Sequence, residues 1–153
     1  MPETQEDVAR QHIDHLLESA GWTIQDMDTF NLGVSLGVAI REFPTKSGHA
    51  DYMLFVDEKA VGVIEAKAKG TTLGGISDQS GKYIADFPQD LPHAQDPLPF
   101  AYESTGTETY FRDERDPNPR SRRIFAFHTP ETLQKRIDQE KTLRGRLQEL
   151  PPL

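Results

Sequence analysis

DYMLFVDEKAVGVIEAKAKG, residues 51–70, reads as two strands in succession with a tight turn between them. Strand formers run from Tyr52 to Val56, the turn falls at Asp57-Glu58-Lys59, and a second apolar run occupies Val61 to Ile64. That run ends in Glu65-Ala66-Lys67, which does not suit an apolar strand. Side chains alternate across a strand, so Glu65 and Lys67 share one face while Ile64 and Ala66 take the other. Asp51 opens the partner strand and can bring a second carboxylate to the same patch. Register decides whether it does, because a slip of one residue reverses every side chain. A loop of 57–59 sets Asp51 opposite Glu65, and a loop of 58–60 sets it opposite Lys67. An even loop would set Asp51 opposite Ala66, so convergence requires an odd loop or a bulge.

Two acids and an amine on one patch suit metal-assisted phosphodiester hydrolysis. Asp51, Glu65 and the carbonyl of Ala66 offer hard oxygen ligands to Mg²⁺, which keeps several of its waters. The ion acidifies a bound water and screens the phosphate, while Lys67 orients the attacking water or stabilises developing charge. The alternative is a surface hairpin with a chance Glu-x-Lys. Against it, Glu65 and Lys67 follow four apolar or small residues without a break, where ionisable groups are rare unless partnered.

Asp51 with Glu65-x-Lys67 resembles the PD-(D/E)xK nuclease motif, with Ala50 at the proline position. Three elements narrow the resemblance: Gly48-x-Ala50-Asp51-Tyr52-x-Leu54, then Ile64-Glu65-Ala66-Lys67, then Gln79-Ser80-Gly81-Lys82-Tyr83. Together with TYFRDERDPNPRSRRIFAFHTPETL at 109–133, they are similar to the N-terminal nuclease domain of the restriction (R) subunit of type I restriction-modification enzymes. The resemblance implies an α/β fold, a mixed central β-sheet flanked by helices. It implies a type I site-specific deoxyribonuclease of phage defence, cutting double-stranded DNA with Mg²⁺ and without sequence specificity of its own. Modification and specificity subunits would be its partners, and ATP would act only through a translocase motor. Gln79 and Tyr83 would then support the metal centre, by positioning Lys67 or contacting the DNA backbone. An acid of the first helix, Glu6, would approach the metal.

Composition sets the outer bounds. At 153 residues the chain can bury one full core, and it has no cysteine, which excludes disulfides, thiolate metal sites and a cysteine nucleophile. No stretch is apolar enough for a signal peptide or a membrane span, so a cytoplasmic protein is expected. The net charge of -8 sits awkwardly with DNA binding. Residues 1–50 carry 8 acids against 3 bases, 51–100 carry 8 against 4, and 101–153 carry 9 against 10. The basic surface is therefore C-terminal, with Arg120, Arg122 and Arg123 clustered as DNA-phosphate or docking contacts and Lys82 as a further phosphate contact. Weak DNA binding by the chain alone follows.

A first helix is expected over 4–20, capped by Thr4, with Val8, Ile13, Leu16, Leu17 and Ala20 on its apolar stripe. A short strand is expected around Val38 to Glu42, and Gly48 invites close backbone approach or a positive φ. A second helix spans 76–87, strands follow at 100–104, 108–112 and 124–127, and Thr129-Pro130-Glu131 starts a last helix. That helix has a sparse stripe, Leu133, Ile137, Leu147 and Leu150, and is expected to project or to pack on something absent. The chain divides into a nuclease domain, 1–128, and a C-terminal helix, 129–153, leading to an absent motor, as in a fragment or truncated gene product. A phosphate loop is missing: Gly70 to Gly75 lacks the Gly-Lys-Ser/Thr ending. Two other classes remain open: a non-catalytic docking module of a restriction or helicase complex, and a stand-alone metal-dependent nuclease.

Overall fold

The computed structural model describes residues 4–73, 78–88, 90–94 and 97–149, without the side chains of 78–81 and 140–149. Seven strands form one sheet in strictly sequential order: β1 (Thr23–Asp26), β2 (Gly37–Thr45), β3 (Gly48–Val56), β4 (Lys59–Ala66), β5 (Phe100–Ser104), β6 (Thr109–Asp113) and β7 (Arg122–Ile124). The pairs β1–β2 and β4–β5 are parallel and the other four antiparallel. A parallel neighbour cannot be reached by a hairpin, so the chain between β4 and β5 makes a crossover that carries α2 (Asp78–Ala85). The expected α/β architecture with a mixed sheet is what the chain adopts.

Both faces of the sheet are covered. On one, α1 (Gln5–Ser19) and the start of α3 (Pro130–Glu149) pack with Tyr52, Leu54, Ile64, Phe100, Tyr102 and Phe111; on the other, Tyr83, Ile84 and Phe87 pack with Met53, Phe55 and Val63. Coverage on both sides explains why β3 and β4 are continuous apolar runs rather than alternating ones. Helix α1 starts in a capping box, in which Thr4 Oγ1 accepts from the Asp7 N–H and Asp7 Oδ2 from the Thr4 N–H, both at 3.0 Å. Its buried stripe is Ala9, Ile13 and Leu17, one residue every fourth position, whereas the expected Val8 and Leu16 are exposed.

Three further expectations change. Strand β2 runs past Glu42 to Thr45, because pairing with β3 resumes at Phe43↔Ala50 and continues to Thr45↔Gly48. The last strand is β7, a short edge strand, and Phe125 beyond it is fully exposed at 101% while Phe127 turns into the core. The last helix does not project at its start: Leu133 and Ile137 are buried in the main core. Polar ties hold it there, since the buried Arg115 clasps Asp113 and donates from Nη1 to the Arg136 carbonyl at 3.2 Å, while Arg136 lies over the Phe111 ring. Leu147 falls among the undescribed side chains and Leu150 outside the described residues.

Candidate active site

The β3–β4 hairpin meets the register condition through a bulge rather than an odd loop. Val56 pairs with Lys59, so the loop is the two residues Asp57 and Glu58, both at positive φ (51° and 65°), as a primed hairpin turn requires. An even loop alone would carry Asp51 to the wrong face. Between Leu54↔Gly62 and Phe55↔Ala60 the register shifts, leaving Val61 as one extra residue on β4. This bulge restores the count, and Tyr52 then pairs with Ile64. Asp51 is next in line against Glu65.

The side chains agree. Asp51 Oδ2 accepts the Ala66 backbone N–H at 2.8 Å, and the Asp51 N–H points to Glu65 Oε1 at 3.5 Å. Both acids are buried, Asp51 at 8% and Glu65 at 5% exposure. Burial first, and the Asp51 charge second, push the Glu65 carboxyl up to about 8; Lys67 acts in the opposite direction. Lys67 follows β4 directly, its N–H continues the ladder to Ser104 O at 2.8 Å, and its charge acts on Glu65. The structure thus gathers Asp51, Glu65 and Lys67 at the end of β4.

From the first helix, Arg10 contacts Asp51 and pairs in turn with Asp7; Glu6 is exposed. Arg10 donates from Nε to Asp51 Oδ1 at 3.1 Å and bonds the same oxygen through Nη2. Its guanidinium also lies 3.4 Å from Asp7 Oδ1 and 3.4 Å from Glu42 Oε1. A guanidinium cation therefore sits on Oδ1 of Asp51. Glu42, at φ 52°, stands between the pairs Arg41↔Tyr52 and Phe43↔Ala50, where the partner across the sheet would be Asp51.

Beside Glu65 in the parallel β4–β5 register lies a second buried acid, Glu103, at 3% exposure. The signal that singles out Glu65, an ionisable residue within a run of strand formers, also marks Glu103 in FAYES. No sequence signal marks Arg10 or Glu42, which arrive by tertiary packing. Among the described residues no three His, Cys, Asp or Glu side chains form a ready-made metal cage. Asp51 and Glu65 are two such side chains held together, and the Ala66 carbonyl follows them in the chain. Oxygen-only donors of this kind fit a hard, partly hydrated ion such as Mg²⁺ better than zinc. His49 is largely exposed, 3.9 Å from Glu42.

Tyr83 is buried against this end of the sheet: a Cβ placed on Gly48 would lie 3.5 Å from its hydroxyl, and Gly48 itself takes φ +129°. The Gln79 side chain lies outside the described residues. Lys82 is exposed on α2. Arg120, Arg122 and Arg123 are all exposed at or next to β7, three strands beyond β4, and are not brought to the acids; Arg123 faces Glu108 at 3.8 Å. An open cleft of about 460 Å³ is walled by Lys69 to Leu73 and by Thr105, Thr107, Glu108 and Tyr110. No described helix is long and apolar enough to cross a membrane.

Residues 35–103, which hold β2, β3, β4 and α2, match the family model described as the second domain of the type I restriction enzyme EcoKI endonuclease subunit. The chain is 26% identical to the type I restriction enzyme EcoKI endonuclease subunit of Escherichia coli strain K12 over 188 aligned positions. That match takes in 88% of this chain and 16% of the relative's length. No solved structure matches. The resemblance carried by the motifs is thus borne out at the level of the subunit.

Proposed function

We propose that this chain, a relative of the endonuclease subunit of type I restriction enzymes, is a PD-(D/E)xK nuclease module that cuts double-stranded DNA with Mg²⁺. The observation that carries the reading is the bulge at Val61, which aligns Asp51 with Glu65 and so gathers two acids at the strand end that Lys67 extends. A bulge that re-aims a side chain at one point of a sheet is a typical device of active sites. Burying two carboxylates side by side costs stability, and such arrangements are usually kept for function.

Asp51, Glu65 and the Ala66 carbonyl would hold the ion. Bound there, Mg²⁺ supplies an acidified water and screens the negative charge of the phosphate. The chain's own residues do the rest. Lys67 places its ammonium beside Glu65, where it can orient the attacking water and balance the charge that builds on the phosphate oxygens. Tyr83, which packs with Met53 and lies close to Gly48, would support the strand start that presents Asp51, and Gln79 shares its helix. Lys82 on α2, with Arg120, Arg122 and Arg123 at the far sheet edge, offers phosphate contacts to a duplex lying across the cleft.

With a net charge of -8, the domain is expected to hold DNA weakly by itself. Recognition would fall to modification and specificity subunits, and delivery of DNA to an ATP-driven motor elsewhere in the subunit, in the cytoplasm. The test uses the assembled complex. Lys67→Ala is expected to abolish cleavage while ATP-driven translocation continues. Cleavage that survives this change would show that the site has been misplaced.

A further inference from the structure

Asp51 has two carboxylate oxygens and each is taken. Oδ2 is held by the Ala66 N–H within the sheet, whereas Oδ1 is taken by Arg10 of α1. We propose that Arg10 is a built-in counter-ion that a divalent cation must displace from Asp51, and that it thereby sets how tightly the site takes metal. This rests on the reading of Asp51 and Glu65 as metal ligands, and concerns how that site is regulated.

Three features support an exchangeable contact rather than a fixed one. Arg10 has somewhere to go, because Asp7 Oδ1 and Glu42 Oε1 each lie 3.4 Å from its guanidinium and can retain it once Oδ1 is surrendered. Both acids are about half exposed and the Arg10 side chain is 32% exposed, so the movement crosses no packed core. Glu42 is also held at φ 52° where β2 ceases to pair with Asp51, a backbone conformation that non-glycine residues adopt at a cost and that turns its carboxylate toward Arg10.

The contact is not needed to dock the helix. Helix α1 is joined to the sheet independently, by Tyr52 donating to Asp14 Oδ1 at 2.6 Å and by Arg41 Nη2 to Asp14 Oδ2 at 2.6 Å, besides its buried Ile13 and Leu17. A purely structural guanidinium would have little left to do. One that neutralises Asp51 until metal arrives accounts for its position against three carboxylates from three elements.

Mn²⁺ titration calorimetry on the whole 153-residue chain tests this. Arg10→Ala is expected to tighten Mn²⁺ binding by about tenfold or more, the size of one charge-assisted hydrogen bond. Arg10→Lys, which keeps the charge, is expected to fall between the variant and the original. Asp51→Asn should lose binding in either background. If Arg10→Ala does not fold, Arg10→Gln removes the charge while keeping an amide donor, and the same tightening is expected. Unchanged or weaker binding in the uncharged variants, with Asp51→Asn still abolishing it, would overturn the counter-ion role and leave the metal site standing. Binding indifferent to Asp51→Asn would overturn both.

Discussion

Glu65→Gln should make the protein more stable, and increasingly so as pH rises. The wild-type carboxyl is moved from 4.5 to about 8 by burial and by Asp51. In the unfolded chain it ionises near its ordinary value, while in the fold it stays protonated for several pH units more. Between those two values the folded state binds the extra proton, so stability falls as pH rises through the window and the full penalty is present above about 8. At 1.36 kcal/mol per unit the whole interval corresponds to roughly 5 kcal/mol. Asp51 shares the same charge pair and Gln cannot match every contact of the acid, so about half of it, ~2–3 kcal/mol, should be recovered. For a domain of this size that is a rise in Tm of about 5–10 °C. Thermal unfolding followed by circular dichroism at about pH 5 and about pH 9 reads the effect directly. The two proteins should differ little at the lower pH and most at the higher. A variant that is less stable at both, or a difference that does not grow with pH, refutes the reasoning, because Glu65 would then be a comfortably solvated or fully paired carboxylate.

Other expectations concern the scaffold. Leu133→Ala should cost about 2–5 kcal/mol in chemical denaturation, because Leu133 is fully buried under the start of α3. A loss under about 0.5 kcal/mol would mean that the helix is not docked. Gly62→Ala should be destabilising by about 1–3 kcal/mol, since its Cβ would fall 2.4 Å from the Phe100 carbonyl oxygen in the parallel β4–β5 pair; a neutral result would contradict the close approach of those strands. Tyr52→Phe removes the donor to Asp14 and should cost about 1 kcal/mol in the same assay, limited because Arg41 still pairs with that acid.

The hairpin and the residues it carries were legible because period-two patterning survives any change in the surroundings. Asp51, Glu65 and Lys67 could be named from residue order and apolar context alone. What joins them could not. A two-residue loop and a compensating bulge at Val61 give the same parity as an unbulged three-residue loop, and only the final register matters to the side chains. At the first helix the pattern did not single out Arg10. Adjacent helical residues point about 100° apart, so Asp7 shares a face with Arg10, three residues on, while Glu6 is exposed. Arg10 and Glu42 come to Asp51 from 41 and 9 positions away and depend on how α1 and β2 settle on the sheet, which local pattern does not encode. At the last strand, the apolar run Ile124 to Phe127 looked buried throughout. The chain instead leaves the sheet edge after Ile124, exposes Phe125 and commits only Phe127 to the core.

Anomalous diffraction from crystals of this chain soaked in Mn²⁺ is the most direct measurement of whether Asp51 and Glu65 form an ion site. Strong density bridging the two carboxylates, with Arg10 drawn back toward Asp7 and Glu42, is the predicted result. Density bound elsewhere, with the Arg10 guanidinium still seated on Asp51, would contradict it.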